Sequence, residues 1–369
     1  MVGELSRGLA ERGHEVTVCA TDACDSQHRL SPETAPRGTS LQIFPNLSNA
    51  AAYRLQLFLP LGLSGWLRAH ASRFDVAHVH ACRNLPGMLA MHHLRRAGVP
   101  FVLSPHGTAR RIERRVLAKW IFDHTLGRHP LDADRVLAVS DEERRDLDAL
   151  GVAHDRIAVL GNPVESDADG PPARGAFRAR LDLPWRELVL FLGKLTPGKH
   201  VDRLVRAFAA LDRPDAGLVI AGNDMGSGAS LERLVHKLGL TARTRFVGLL
   251  VGRERLEALT DADVLAYPSK PEAFGLVPME ALQCGTPVVV AADSGCGELI
   301  DSLGGGRLVR GDDPASLAEA LRAVLDDRPR FAASATVAGA RVRERFGRGR
   351  VCAELERHYR ELLPGTARA

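Results

Sequence analysis

At 369 residues the chain is too long for one compact core, and it predicts two domains of roughly 150–200 residues each. Its 45% hydrophobic and 25% charged residues are ordinary for a globular protein, and no apolar run of about twenty residues is present to span a bilayer. The net charge of +4 is too small to argue for nucleic acid, and the six cysteines lack metal-ligand or disulfide-framework spacing.

Those cysteines read as reduced thiols in a cytoplasm. The chain opens directly into a charged helix, so no secretory leader is legible. Basic residues are mostly arginine; the lysines are Lys119, Lys194, Lys199, Lys237 and Lys270. Two lysines close together therefore carry more information here than an arginine cluster does.

In chain order, residues 4–13 read as an amphipathic helix ended by Gly13, and Glu15 to Ala20 as a strand. Residues 21–50 are polar and irregular, with Pro32, Pro36 and Pro45 as breakers. A helical region at 53–72 is interrupted at Pro60, and the strand Val76 to His80 follows. Next come a helix at 86–97 and the strand Pro100 to Leu103. Such alternation implies a parallel, doubly wound sheet, whose ligands bind beyond the carboxyl ends of the strands. Ser104-Pro105-His106-Gly107-Thr108 lies at one of those ends, and Gly107 permits a ligand to approach closely. His78 and His80 alternate on their strand and read as packed, satisfied side chains.

Residues 109–122 form a basic amphipathic helix, with Ile112, Val116 and Trp120 recurring among Arg110, Arg111, Arg114, Arg115 and Lys119. Two readings stay open: peripheral contact with an anionic membrane face, or an apolar stripe on the core with a solvated basic side. Asp134 to Ser140 is a strand. The helix 141–150 that follows reads as a solvated face of mixed charge. Ile157 to Leu160 leads to Gly161-Asn162-Pro163-Val164, and residues 165–176 read as a linker rich in Asp, Gly and Pro.

The second half opens on the buried strand Leu188 to Leu192. Gly193-Lys194-Leu195-Thr196-Pro197-Gly198-Lys199 follows, then a helix at 201–211. A glycine loop with two lysines between strand and helix suits a phosphate, because each lysine is a point charge. Leu218 to Ala221 is a strand ending in the glycine-rich stretch 222–228, which lacks dinucleotide-site spacing and reads as a loop. Arg245 to Val247 is the next strand. Asp261-Ala262-Asp263 mimics a metal-binding Asp-x-Asp, but it sits before a buried strand, where Asp261 is expected to cap or end a helix. Helices at 314–326 and about 331–362 finish the chain.

The most informative stretch runs from Asp263 to Ala291. A short strand to Tyr267 is ended by Pro268. A loop carrying Glu272 and Gly275 leads to a helix from about Leu276 to Cys284, and Gly285 and Thr286-Pro287 feed another buried strand. Glu272 and Glu280 bracket the helix start with seven residues between them. Helix starts carry unpaired N–H groups and a positive dipole end, so the amides near Gly275 and Leu276 suit an anion. Phosphates on those amides, with hydroxyl-rich rings against both carboxylates, describe a nucleotide-sugar.

This stretch resembles the Glu-x7-Glu signature of the retaining glycosyltransferases of the GT-B fold, family 4 in particular. A bare Glu-x7-Glu is common by chance. The specificity comes from Pro268-Ser269, Phe274-Gly275, Glu280-Ala281, Gly285-x-Pro287-Val288-Val289 and Gly295-x-x-Glu298 around it. The resemblance implies an α/β architecture of two Rossmann-like doubly wound domains facing across a cleft. It divides the chain into an acceptor-side domain at 1–164, a linker at 165–176, a nucleotide-sugar domain at 177–345, and a helix at 346–369 crossing back. In the family a first strand and a Gly-rich loop precede the first helix; here Met1 already lies in that helix.

The activity implied is transfer of a hexosyl group from a UDP- or GDP-linked sugar to a saccharide or lipid-linked acceptor, without cofactor or metal. By resemblance His106 and Glu272 contact the donor sugar. Gly193, Lys194, Lys199, Gly275 and Leu276 hold its phosphates, and Glu280 and the backbone at Leu249 hold the nucleoside. Lys194 stands where the family usually has Arg, which keeps the charge and loses the bidentate fork. An epimerase on the same fold, or a non-catalytic nucleotide-sugar-binding partner, are the alternatives.

Overall fold

The computed structural model describes residues 1–23, 29–31, 35–49, 52, 57–82, 84–109, 132–165 and 170–363. Two compact units divide the chain: Met1–Pro163 together with Arg348–Ala369, and Val164–Gly347. Both are built from parallel strands linked by helices, as the strand–helix alternation predicts.

In the first unit, α1 (Val2–Glu11) precedes β1 (Thr17–Thr21), which pairs in parallel with β2 (Ser40–Phe44). After α2 (Leu63–His70) come β3 (Ala77–His80), α3 (Leu85–Ala97), β4 (Phe101–Ser104), β5 (Arg135–Ala138), α4 (Asp141–Ala149) and β6 (Ile157–Val159). Strands β3 to β6 form one parallel sheet in sequence order. Its faces follow from the two-residue strand period. Phe101, Leu103, Val136 and Ala138 pack into one apolar cluster, while Val102 and Leu137 pack on the other face with Leu5, Leu9, Val351 and Leu355. The last two belong to the chain's final helix (Arg348–Arg360), which lies against α1. A Cβ on Gly8 of α1 would come within 2.5 Å of Cys352 Sγ, so that contact needs glycine.

In the second unit, α5 (Ala176–Arg180) leads into β7 (Glu187–Leu192), α6 (Val201–Ala209), β8 (Ala216–Ala221), α7 (Gly228–Lys237) and β9 (Thr244–Gly248). Then follow α8 (Gly252–Asp261), β10 (Val264–Tyr267), α9 (Leu276–Gln283), β11 (Val288–Ala291), α10 (Gly295–Leu303), β12 (Gly306–Val309), α11 (Pro314–Asp326) and α12 (Arg328–Phe346). The sheet order β12-β11-β10-β7-β8-β9 is parallel throughout and places β7 and β10 at its centre. Leu188 to Phe191 of β7 are wholly buried, as expected for a strand covered on both faces.

Three expectations need correction. Residues 21–50 are not wholly irregular: β2 forms there, because β1 supplies a full register of partners from Thr17↔Ser40 to Thr21↔Phe44. The helix expected at 331–362 is two helices, because Gly347 takes an extended conformation (φ −61°, ψ 141°) and the halves belong to different units. The helix at 141–150 is not simply a solvated face, because its Glu143 is buried.

Asp261 acts as the capping reading expects, whereas Asp263 pairs with arginines and a strand amide. Asp261 accepts from the Gly175 and Arg178 amides at the start of α5, and Asp263 accepts from Arg174 (2.6 Å), Arg178 (2.7 Å) and the Leu188 amide (2.8 Å). The proposed basic helix at 109–122 lies outside the described residues from Arg110 onward. Among the described residues no helix is long and apolar enough to cross a membrane.

Candidate active site

In the second unit the residues singled out by sequence gather at the carboxyl ends of the strands. The loop 193–199 follows β7, residues 222–228 follow β8, Leu249 follows β9, and Glu272 and Gly275 follow β10. The first two loops are stitched together: the Leu195 amide donates to Asn223 O at 2.9 Å, and the Met225 amide to Leu195 O at 3.2 Å. A Cβ on Gly222 would lie 1.8 Å from Gly193 O, so the backbones approach at a distance only glycine allows. Residues 222–227 form a loop, as expected, and Gly228 begins α7. Asp224 Oδ1 already accepts from the amides of Gly226, Ser227 and Gly228, at 2.8–2.9 Å.

Lys199 and Glu272 meet. Lys199 Nζ lies 2.7 Å from Glu272 Oε2 and donates to Tyr267 Oη at 2.9 Å. Tyr267 Oη and Ser269 Oγ donate to the same carboxylate oxygen, at 2.9 and 3.2 Å. Burial would raise the Glu272 carboxyl, but the Lys199 charge and these hydrogen bonds outweigh it and hold the group below the ordinary range. Burial, reinforced by the neighbouring carboxylate, pushes the Tyr267 phenol well up. Lys194 is exposed on the same loop.

Gly275 starts α9 with φ +77°, and a Cβ there would come within 2.4 Å of Cys296 Sγ. Its N–H, read from sequence as free for an anion, donates instead to Glu272 Oε1 at 3.1 Å. A carboxylate three residues ahead of a left-handed glycine caps the helix start itself. Leu276 is the first helical residue.

Glu280 is 6% exposed, one turn into α9. Its Oε1 lies 3.2 Å from Arg255 Nη1, while Oε2 has no partner among the described residues. Burial raises the Glu280 carboxyl above its ordinary value, against the opposing pull of Arg255. Leu249 is 63% exposed, after Gly248 in a left-handed conformation.

In the first unit, His106 sits after β4 with φ +51°. Its Nε2 is 3.0 Å from His80 Nδ1, and its buried Nδ1 has no partner among the described residues. The His80 ring lies between those of His78 and His106, with centroids 4.1 and 5.3 Å away. Both ring nitrogens of His78 are engaged, with Tyr359 Oη at 2.8 Å and Ser104 Oγ at 2.7 Å. That matches the satisfied reading of His78, whereas His80 is tied to the loop histidine. Burial pushes His106 down to about 4; burial and the adjacent His106 push His80 down to about 3. All three imidazoles are therefore neutral at pH 7.

Glu143 fixes this loop, accepting from the Gly107 amide at 2.5 Å and the Val139 amide at 2.8 Å. Sequence reasoning passed over it, although Ser140-x-x-Glu143 has capping-box spacing and Ser140 does cap α4. Tyr267 carried a weaker signal, a tyrosine at a buried strand's end. Arg255, one arginine of many in a charged helix, carried none.

Two family models match the chain: Glycosyltransferase Family 4 over residues 1–168 and Glycosyl transferases group 1 over residues 176–342. The D-inositol 3-phosphate glycosyltransferase of Xylanimonas cellulosilytica is 36% identical, with 92% of this chain and 86% of that protein covered. Its namesake in Mycobacterium tuberculosis is 33% identical, with 85% and 68% covered. Among solved structures, Anabaena HepE in complex with UDP and glucose superposes with a TM-score of 0.79 at 19% identity, over 98% of this chain and 95% of that one. A sucrose-phosphate synthase from Thermosynechococcus elongatus gives 0.78 at 23% identity, over 98% and 92%. The fold and the Glu272–Glu280 stretch thus define a GT-B glycosyltransferase. The chain belongs to glycosyltransferase family 4.

Proposed function

We propose that this glycosyltransferase moves a hexosyl group from a nucleoside diphosphate sugar to a hydroxyl of its acceptor, with retention at the anomeric carbon. The observation that carries the reading is the Lys199–Glu272 pair at the strand ends, with buried Glu280 eight positions further on and one of its carboxylate oxygens without a partner among the described residues. Cleaving the donor leaves negative charge on the departing diphosphate. Fixed positive groups lower that barrier most when they sit away from bulk water. Lys199 and Lys194 supply the charge, with the helix start at Gly275 and Leu276 as amide donors; the Gly193 amide, expected from sequence to face the phosphates, donates instead to Ala221 O at 3.0 Å. A bound diphosphate would draw Lys199 from Glu272 and release the Gly275 amide.

Glu272, freed from that lysine, would then accept from hexose hydroxyls. Glu280 takes the ribose, and the backbone at Leu249 the base. His106, neutral and with its Nδ1 unpartnered among the described residues, is assigned a hexose hydroxyl. Two lysines meet the charge requirement, so the reading calls for no metal, and transfer should survive EDTA.

The names of the curated relatives, 33–36% identical, make D-inositol 3-phosphate the first acceptor to offer. Saccharide and lipid-linked acceptors are the comparators. Incubation with a panel of UDP- and GDP-hexoses and each acceptor, read by mass spectrometry and by NMR of the anomeric proton, tests the proposal. A product with the donor's anomeric configuration supports it; an inverted product, or no product with any pair, would refute it.

A further inference from the structure

Among the described residues, some buried side-chain atoms of the second unit lack a partner, and two of them belong to oppositely charged neighbours: Arg255 Nε and Glu280 Oε2. Arg255 lies on α8 and Glu280 on α9, helices that pack side by side. The two side chains already meet elsewhere, Arg255 Nη1 to Glu280 Oε1 at 3.2 Å, and Arg255 also faces Glu165 at 3.7 Å. Native proteins leave few buried polar atoms unpaired, so a donor and an acceptor vacant on one ion pair point to a ligand.

The vacancy has a definite chemistry. A free carboxylate can accept from two hydroxyls at once. Here Oε1 faces Arg255, so Oε2 is the oxygen left without a partner, and a hydroxyl beside it finds a donor in Arg255. Arg255 Nε is a donor only. One open acceptor beside one open donor complements two adjacent hydroxyls, the first donating to Glu280 and the second accepting from Arg255.

We propose that Arg255 is a specificity-determining residue that, with Glu280, clasps the 2′,3′-diol of the donor's ribose and selects ribonucleotides over their deoxy forms. The inference rests on the reading of Glu280 as the nucleoside-binding carboxylate and adds to it the residue that discriminates. Sites built to hydrogen-bond a hydroxyl reject the analogue lacking it, because their polar groups are then left unpaired.

Titration calorimetry on the full chain tests this. UDP, GDP and ADP are compared first, and the tightest binder is then set against its 2′,3′-dideoxy form. Wild type should prefer the ribo form by about tenfold or more, and Arg255→Met should reduce that preference by about fivefold or more. Arg255→Lys, which keeps the charge but not the planar fork, should also lose most of it. Thermal melts of both variants establish that they fold. Equal weakening of both nucleotides, with the ratio unchanged, would make Arg255 a structural partner and overturn the inference. If Glu280→Ala abolishes binding while both Arg255 variants keep the wild-type ratio, the inference fails and the nucleotide reading stands. If none of the three nucleotides binds wild type, both fail.

Discussion

Lys199 and Glu272 form a 2.7 Å ion pair that ties the loop after β7 to the loop after β10, the two central strands of the second unit's sheet. The pair is partly exposed, 22% and 17% for the two side chains, and Tyr267 bonds to both partners. The ammonium holds the helix-start carboxylate in place, and in the proposed reaction it is the group that receives the diphosphate. Lys199→Ala should lower kcat by about 10²–10³-fold, the usual cost of losing one fixed donor to a developing anion. Nucleotide affinity should fall less. Steady-state kinetics beside calorimetry separate the two, and an unchanged kcat would remove Lys199 from the reaction.

The same variant carries a pH signature. Glu272's carboxyl is held below its unfolded value, so its ion pair stabilises the fold above that value and the contribution is lost as pH falls through the folded pKa. Lys199→Ala should therefore melt below wild type at pH 7, and the gap should close in acid. A gap that stays constant from pH 7 to the acid limb would contradict this account.

Glu280 behaves oppositely. Its folded-state carboxyl is raised by burial, so ionisation opposes folding as pH climbs from the unfolded pKa through the folded one. Glu280→Gln imitates the neutral form. Melting of the ligand-free variant should rise by about 1–3 °C at pH 7 and match wild type below the unfolded pKa. Nucleotide binding should weaken at the same time. A variant both less stable and fully competent to bind would contradict both halves.

These residues differ in how legible they were from sequence. Glu272, Gly275 and Glu280 fall within nine consecutive positions, so one strand–loop–helix reading places them together. Lys199 stood out because lysine is scarce in the chain. Arg255 and Tyr267 gain meaning only from partners brought close by the fold, and Glu143 from the Gly107 amide 36 positions away. Strand β2 was missed for a related reason: Ser40–Phe44 is ordered by its pairing with β1 more than by its own pattern. The break at Gly347 separates two helical patterns that read as continuous, since glycine alone does not reveal an extended ψ.

Gly275 faces two constraints that mutation can separate. Its φ of +77° is unfavourable for any residue with a Cβ, by about 1–2 kcal/mol. A Cβ would also meet Cys296 Sγ at 2.4 Å and Cys296 Cβ at 2.9 Å. Gly275→Ala should lower the melting temperature and cut activity sharply. Adding Cys296→Gly removes the clash and leaves the backbone strain, so the double variant should recover part of the loss. Strictly additive effects in melting would show that Cys296 does not restrict the site.

The histidines of the first unit supply an acid limb of their own. His106 and His80 are pushed to about 4 and about 3, below the usual histidine value near 6.5. The unfolded chain therefore binds protons first as pH falls from about 6.5, and stability drops until the folded-state values are reached. Above pH 7 the two groups give no slope. Wild type should lose melting temperature progressively between pH 6.5 and 4, and His80→Gln with His106→Gln should lose less over that window. Glu143→Ala sharpens the comparison. It leaves the Gly107 and Val139 amides without their acceptor, at about 1–3 kcal/mol each, and should lower melting at every pH above its own carboxyl's titration. If the histidine double variant shows the same acid slope as wild type, the neutral imidazoles are not what the fold loses in acid.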